Sequence, residues 1–401
     1  MLLQGLKVLD VASFIAAPVA TTILADFGAE VIKVEPTGEG DTWRHTYTHP
    51  GYPRTEHNYP WLMDNRTKQG LALDLKSEEG RRILYQLAAE ADVFVTNTPL
   101  ESRRRLKIAY EDIAPLNERL IYASLTAYGE AGEEAGKTGF DSTALWARTG
   151  LMDMVKPAPD SAPARSLPGM GDHPTGVSLY AAIMTALYRR ERTGKGGHVS
   201  TSLMANGLWW NAVAAQAMLF GSVFPHRPPR EQTLNALANM YRCRDDRWFM
   251  LVLVNELRLW PRFVAAIERP DLAADPRFAE LATRHRHARE LTLLLDEVFA
   301  ARDWAEWKQR LEAEGLTFGV VGKLQDIPHD PQMRASGALV PFGDPELSDR
   351  LTISSPLWVS GEEKVPPRRA PGHGEHTEAI LKRLGYDDTA IAVLRQKGAI
   401  G

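Results

Sequence analysis

The stretch Gly169-Met170-Gly171-Asp172-His173-Pro174-Thr175-Gly176 sets one carboxylate among three glycines and a proline. Glycines allow close backbone approach and unusual dihedral angles. Leu179, Ala182, Ile183, Ala186 and Leu187 then recur at helical spacing. Pro174 suits a first helical turn, where its missing N–H costs nothing. Asp172 therefore stands at a helix N-terminus, whose dipole favours the ionised carboxylate. Such an Asp is either a helix N-cap or a nucleophile that the glycines leave open to a bulky partner. The adjacent His173 reads as a local hydrogen-bonding residue. Two further polar stretches, Asp64-Asn65-Arg66-Thr67-Lys68 and Arg103-Arg104-Arg105, border strand patterns. Their basic side chains either hold phosphates or form a solvated charged face.

The elements that would position these groups read as an α/β fold. Leu6–Val11 is strand-like, Pro18–Phe27 helical with Gly28 as its stop, and Val31–Glu35 strand-like again. That is a βαβ unit, with parallel strands and a right-handed crossover. The first turn, from Ala12 to Ala17, has no GxGxxG, which excludes a dinucleotide fingerprint and a generic NAD dehydrogenase. Strands at Leu71–Leu75, Val93–Thr96 and Leu120–Leu125, with a helix over Glu78–Glu90, continue the alternation. Phe140-Asp141 opens a helix to about Met152, and 157–168 forms a Pro-rich loop delivering Gly169–Gly176. A strand at His198–Ser202 and a helix to about Phe220 follow. The composition then changes. Met240–Arg244 and Trp248–Val254 form a hairpin pattern, with helices near Leu257–Ile267, Arg284–Ala301 and Trp304–Glu314. Trp304 and Trp307 read as core. Strand patterns return at Ala338–Phe342 and Leu351–Val359, ahead of two C-terminal helices. The expected organisation is a large Rossmann-like domain over 1–225, a small α+β domain over 228–322, and a further strand-and-helix segment over 323–401.

Bulk composition narrows the partners. The 401 residues carry 47 Lys and Arg against 51 Asp and Glu, a formal charge of −4. That balance suggests neither nucleic acid nor an anionic membrane. The single cysteine, Cys243, excludes a disulfide framework or a Cys-rich metal site. His373 and His376 lack metal-site spacing, so no metal is expected. The apolar run Phe14–Leu24 is too short to span a bilayer, and Met1–Asp10 lacks a signal-peptide pattern. A cytoplasmic location is the expectation.

Ordered along the chain, Leu24–Pro36, Gly40-Asp41 with Arg44, Asn65-Arg66-x-Lys68, Leu73–Lys76, Ala91-Asp92-Val93 with Asn97, Gly129–Asp141, Gly171-Asp172, Thr193–Gly196 and Ala370–Thr377 resemble the class III CoA-transferases, the CaiB/BaiF type. The resemblance implies a large domain built from both termini, with segment 323–401 returning to it, and a homodimer of chains threaded through each other like linked rings. It implies no tightly bound cofactor, with CoA entering as acyl-CoA substrate and a small carboxylic acid as its partner. It places the catalytic carboxylate at Asp172, which would carry the acyl group as an anhydride and then CoA as an aspartyl thioester. CoA contacts would fall on Phe14, Ile15 and Ala16, on Asn97 and Arg105, and on Lys137. The adjoining turn's N–H groups would stabilise the oxyanion. Racemases of the same fold are the nearest alternative. They place a His directly before the Asp matching Asp141, where this chain has Phe140, which cannot move a proton. A non-catalytic CoA-binding protein is the other alternative, and an intact Asp172 disfavours it.

Overall fold

A computed structural model describes residues 1–401, in two compact units. The first comprises Met1–Met152, Arg165–Ser222 and Pro331–Gly401; the second comprises Asp153–Ala164 and Val223–Asp330.

The first unit is built on a six-stranded parallel sheet. Its strands are β1 (Lys7–Asp10), β2 (Glu30–Glu35), β3 (Gln69–Ala72), β4 (Val93–Thr96), β5 (Ile121–Thr126) and β6 (Gly197–Ser202), in the order β3-β2-β1-β4-β5-β6. The side-chain period of two divides each strand between two cores. Val93, Val95, Ile121 and Ala123 join Ile23 and Leu24 of α1 (Ala16–Asp26) and Leu179 and Ile183 of α5 (Asp172–Thr193) on one face. Phe94 and Tyr122, one residue out of phase, pack on the other face. There they meet Ile83 and Leu84 of α3 (Glu78–Glu90), Ile380 and Leu381 of the helix Thr377–Arg383, and Ile391 and Leu394 of the helix Asp388–Gln396. Helices on both faces explain the near-continuous apolar runs of these strands. The strand order reverses direction between β1 and β4, and ligands of such sheets bind outside the strands' carboxyl ends at that switch.

Two short helices serve the site. They are α2 (Tyr59–Asn65), capped by Asn58, and α4 (Leu100–Leu106). The strand read at Leu71–Leu75 lies earlier, at Gln69–Ala72. The helix read from Phe140 to Met152 is instead a π-helical turn, Asp141–Ala147, followed by a short helix, Leu151–Met154. The helix read through Trp209 to Phe220 breaks at Asn211 into α6 (Leu203–Trp210) and α7 (Ala212–Leu219). Past Ile353 the strand read over Leu351–Val359 ends, because only Leu351–Ile353 pairs with Leu339–Pro341.

In the second unit, Ala238–Arg242 and Trp248–Val252 pair as the expected hairpin, and Phe318–Val320 adds a third antiparallel strand. Glycine and lack of alternation hid that strand from the pattern. Phe249, Phe263, Phe299 and Trp307 form its aromatic core, in which Trp307 Nε1 donates to the Phe299 carbonyl at 2.9 Å.

Candidate functional site

The turn after β1 is held from below by a fully buried ionic cluster. Lys33 lies 2.9 Å from Asp41 and 3.7 Å from Asp10, and also donates to the Ala12 carbonyl. Lys68 donates to Asp10 at 2.9 Å, to the Pro18 carbonyl at 2.8 Å, to the Asp64 carbonyl at 2.9 Å and to Asn65 at 3.0 Å. Asp41 accepts the Phe14 N–H at 3.1 Å. Asn97, after β4, accepts the Ser13 N–H at 2.9 Å and donates to the Ser13 carbonyl at 2.7 Å. The turn and the first residues of α1 are thereby tied to Lys33, Lys68, Asp41 and Asn97. Phe14 is kept at φ 61, a left-handed conformation that a bulky residue adopts only when its surroundings over-determine it. Burial pushes the Asp10 carboxyl up, but Lys33 and Lys68 outweigh it and hold it below the usual carboxylate range. Burial pulls Lys68 down to about 8, with Asp10 opposing.

These contacts correct the phosphate-binding reading of Asp64–Lys68. Lys68 is enclosed, and Arg66 donates to both carboxylate oxygens of Asp26 at 3.0 and 2.7 Å. Both cations point into the fold.

Above the turn opens a cleft of about 670 Å³, at the switch between β1 and β4. Phe14, Ile15, Ala16 and Asn97 line it, as do Trp43, Tyr52, Phe140, Asp141, Arg165, Leu167 and Asp172. Arg105 and Lys137 are not among its lining residues. Arg105 is exposed on α4 and donates to Ser102 at 3.2 Å, while exposed Lys137 pairs with Glu134 at 2.9 Å. Of the arginine triplet, Arg103 turns inward, pairing with Glu130 at 2.7 Å and donating to the Thr98 carbonyl at 2.6 Å.

Asp172 is the first residue of α5, and Gly171 takes the N-cap position. The N-cap reading of Asp172 is thus replaced: its half-buried carboxylate makes no hydrogen bond within the protein. The flanking glycines have separate reasons. Gly169 sits at φ +74. A Cβ on Gly171 would stand 2.8 Å from Asp141 Cβ, and one on Gly176 would stand 2.6 Å from Val19 and 2.7 Å from the Ala16 carbonyl. The last is the close crossing of α1 and α5, which sets both helix N-termini at the cleft. Free donors there come from the first turn of α1, because in α5 the His173 N–H donates to the Gly169 carbonyl at 3.1 Å, the Thr175 N–H donates to the Gly171 carbonyl at 3.2 Å, and Pro174 has none.

Sequence spacing does not single out Asp141 as part of this constellation. Its Oδ2 accepts the Gly171 N–H at 3.1 Å and its Oδ1 accepts the Ser142 N–H at 2.6 Å. That takes the Gly171 amide away from the oxyanion role expected of the turn. Burial, and next the charge of Asp141, push the Asp172 carboxyl up to about 7, with Asp64 adding and His173 opposing. The ionised form that the helix dipole favours is therefore outweighed.

His173 is a hydrogen-bonding residue, as expected. Nδ1 donates to the Gly169 carbonyl at 2.9 Å and Nε2 to Asp64 Oδ1 at 2.9 Å. Both partners are acceptors, so both ring nitrogens carry protons and the ring is an imidazolium. Burial pulls its pKa down, but Asp64 outweighs burial and raises it to about 9. Trp43 Nε1 donates to the other Asp64 oxygen at 2.8 Å. His376 accepts the Gly70 N–H at 3.1 Å and His373 donates to the Pro36 carbonyl at 2.8 Å, pinning the C-terminal segment to β3 and to the loop after β2. Phe140 is 59% exposed, its ring edge-on to Phe14 at 5.6 Å.

The chain as a whole resembles known proteins. The profile of CoA-transferase family III matches residues 3–377. The chain is 33% identical to (R)-2-hydroxy-4-methylpentanoate CoA-transferase of Clostridioides difficile, over 98% of this chain and 97% of that one. It is 30% identical to cinnamoyl-CoA:phenyllactate CoA-transferase of Clostridium sporogenes, over 98% and 96%. Its fold is similar to the crystal structure of a CAIB/BAIF family protein from Brucella suis, with a TM-score of 0.83, 30% identity, and coverage of 95% of this chain and 99% of that one. The chain belongs to CoA-transferase family III, and it is a transferase.

Proposed function

We propose that the enzyme moves CoA from an acyl-CoA thioester to a carboxylic acid, with Asp172 as the covalent carrier. The observation that carries this reading is a carboxylate in the cleft with no protein hydrogen bond to satisfy it. Helix capping makes no competing claim on Asp172, because Gly171 is the cap.

Ionised Asp172 attacks the thioester carbonyl; the C–S bond breaks and CoA thiolate leaves with the electron pair. The thiolate then attacks the aspartyl carbonyl of the anhydride, forming the aspartyl–CoA thioester and releasing the first acid. The second acid's carboxylate attacks that thioester and expels thiolate again. Thiolate finally attacks the new acyl carbon, giving the new thioester and free Asp172. Each step exchanges one activated acyl bond for another, so no strong energy well stalls the sequence. A carboxyl group poised near 7 is both available as the ion and more basic than an ordinary Asp. The amides at the N-terminus of α1 and the dipole of α5 stabilise the oxyanions as they form. Phe14, Ile15 and Ala16 wall the thioester arm of CoA, Asn97 fixes their turn, and Arg105 and Lys137 are the cations proposed for its phosphates.

His173 cannot serve a racemase as base, because both its ring nitrogens already donate. The test is isotopic. With an acceptor acid labelled in both carboxylate oxygens with ¹⁸O, one labelled oxygen should remain on Asp172 after turnover. Transfer with no label in the Asp172 peptide would sink the mechanism.

We also propose a cytoplasmic homodimer of linked chains, with the two units as its domains and the C-terminal segment in the large one. Trp209, Val213, Leu219 and Phe220 lie exposed on or beside α6 and α7, and α7 buries none of its residues. A contiguous apolar face of this kind favours association. Linked chains should lose dimer and secondary structure together in denaturant; a folded monomer would contradict them. No helix is long and apolar enough to cross a membrane.

A further inference from the structure

The cleft holds two carboxylates, Asp141 and Asp172, and a single cationic side chain among its lining residues, Arg165. Arg165 is exposed and makes no ion pair or hydrogen bond with the protein. Of the remaining lining residues, Phe14, Trp43, Tyr52, Phe140, Leu167 and Leu203 are large and apolar or aromatic, and six serines and threonines and Asn97 add neutral polar groups. His173, next to Asp172 in the chain, already has both ring nitrogens engaged by Gly169 and Asp64.

An acceptor acid enters this cleft as an anion, beside negative charge already in place. Coulomb repulsion there is stronger than in water. A free guanidinium presents a planar fork that matches one carboxylate. A second carboxylate on the same acid would find no second cation among the lining residues, only neutral hydroxyl and amide groups between aromatic walls, and a charge without a counter-charge is costly there.

We propose that Arg165 receives the carboxylate of the acceptor acid, and that the cleft selects monocarboxylic acids with an apolar, aromatic or branched side chain over dicarboxylic acids. This rests on the CoA-transfer reading above and names its substrate class. Selection works in both directions: Arg165 attracts the one carboxylate, and the lack of a second cation rejects the other.

The test uses the full-length enzyme and one acyl-CoA donor, with 3-phenylpropanoate, 4-methylpentanoate, succinate and glutarate as acceptors. The monocarboxylic acids should exceed the dicarboxylic acids in kcat/KM by about tenfold or more, the scale of one unpaired charged hydrogen bond. Arg165→Ala should raise KM for the monocarboxylic acids by about tenfold and leave KM for acyl-CoA within about twofold, and Arg165→Lys should restore part of the loss. Succinate or glutarate performing as well as the monocarboxylic acids would overturn the selection. A rise in KM for acyl-CoA instead, abolished with a pantetheine thioester lacking the nucleotide, would overturn the assignment by giving Arg165 to a CoA phosphate. Failure of the underlying reading looks different: no acid of either class would accept CoA, or Asp172→Ala would transfer it as well as wild type.

Discussion

Two clusters of charged residues meet across the turn after β1, and they use the same side-chain types in opposite ways. Below the turn, Asp10, Lys33, Asp41 and Lys68 are sealed from water, each charge facing a partner of opposite sign. Above it, Asp172 faces the cleft with no partner and with Asp141 as a like-charged neighbour. A buried ion that is fully paired holds backbone in place, at a desolvation cost its partners offset. An unpaired carboxylate beside another carboxylate is an unsatisfied group, and in the mechanism proposed above reaction is what satisfies it. The rigid cluster makes the reactive one possible, because the Ala12, Phe14 and Pro18 backbone groups that shape the cleft floor are hydrogen-bonded to Lys33, Asp41 and Lys68.

The sharpest way to break the comparison is to remove the unpaired member. Asp172→Ala should lower transfer by about four orders of magnitude or more, as loss of a covalent carrier does. Far-ultraviolet circular dichroism and thermal midpoint should stay near wild type, since this carboxylate holds no hydrogen bond. Hydroxylamine, which traps activated acyl groups, should inactivate wild type only in the presence of acyl-CoA, and should not touch the variant.

Removing a paired member should do the reverse. Lys68→Met leaves Asp10 with the more distant Lys33 as its one cation, beside the Thr21 hydroxyl, and takes one donor each from the Pro18 and Asp64 carbonyls and from Asn65. Breaking a buried pair from one side costs on the order of 3 kcal/mol or more. The urea midpoint of the first unit's unfolding should fall accordingly. An unchanged midpoint would mean the buried cluster is not what fixes the turn.

A milder change tunes the reactive cluster. Asp141→Asn keeps an oxygen to accept the Gly171 N–H but removes the neighbouring charge. Transfer by wild type should rise with pH through about 7, as Asp172 ionises. In the variant that limb should move to lower pH by roughly one unit or less, because burial is the larger cause and remains. A limb that does not move would separate Asp141 from the chemistry.

The position of Asp172 was legible because a glycine-rich turn, a proline and a helical apolar period all converge on one residue. The parallel sheet was legible from strand and helix alternation. The direction of the basic residues was read less well, though the signal was partly there. Leu100, Arg103 and Leu106 share one helical face, which forecasts Arg103 as the inward member of the triplet and Arg105 as outward. Nothing local distinguishes Arg66 and Lys68 from surface cations, since their partners Asp26 and Asp10 lie far off in sequence. The Asp141–Gly171 contact was equally hidden, because it spans 30 residues and depends on a π-helical turn that no simple period announces.

The smallest expected effect separates the two clusters by the sign of their pH dependence. His173 has a folded-state pKa of about 9 against a reference of 6.5. Its stabilising contribution is therefore complete below about pH 6.5 and is lost as pH rises through 9. Lys68 runs the other way. Its folded pKa is about 8 against 10.5, so the cost of burying its charge fades as pH rises from 8 towards 10.5. Asp172, whose folded pKa is raised to about 7, adds a second falling contribution that is largely spent by about pH 8 and is present in wild type and in His173→Gln alike. Between pH 7 and 9 the wild-type stability curve thus sums falling contributions from above the turn and the start of a rising one from below. His173→Gln should remove only the imidazolium's falling contribution. The difference between the two curves should grow smaller with pH by on the order of 1 kcal/mol, after allowing for solvent screening at the exposed edge of the ring. Urea titrations of both proteins at intervals across that range would measure it. Parallel curves would mean that the His173–Asp64 pair is not charged in the way its two acceptors require.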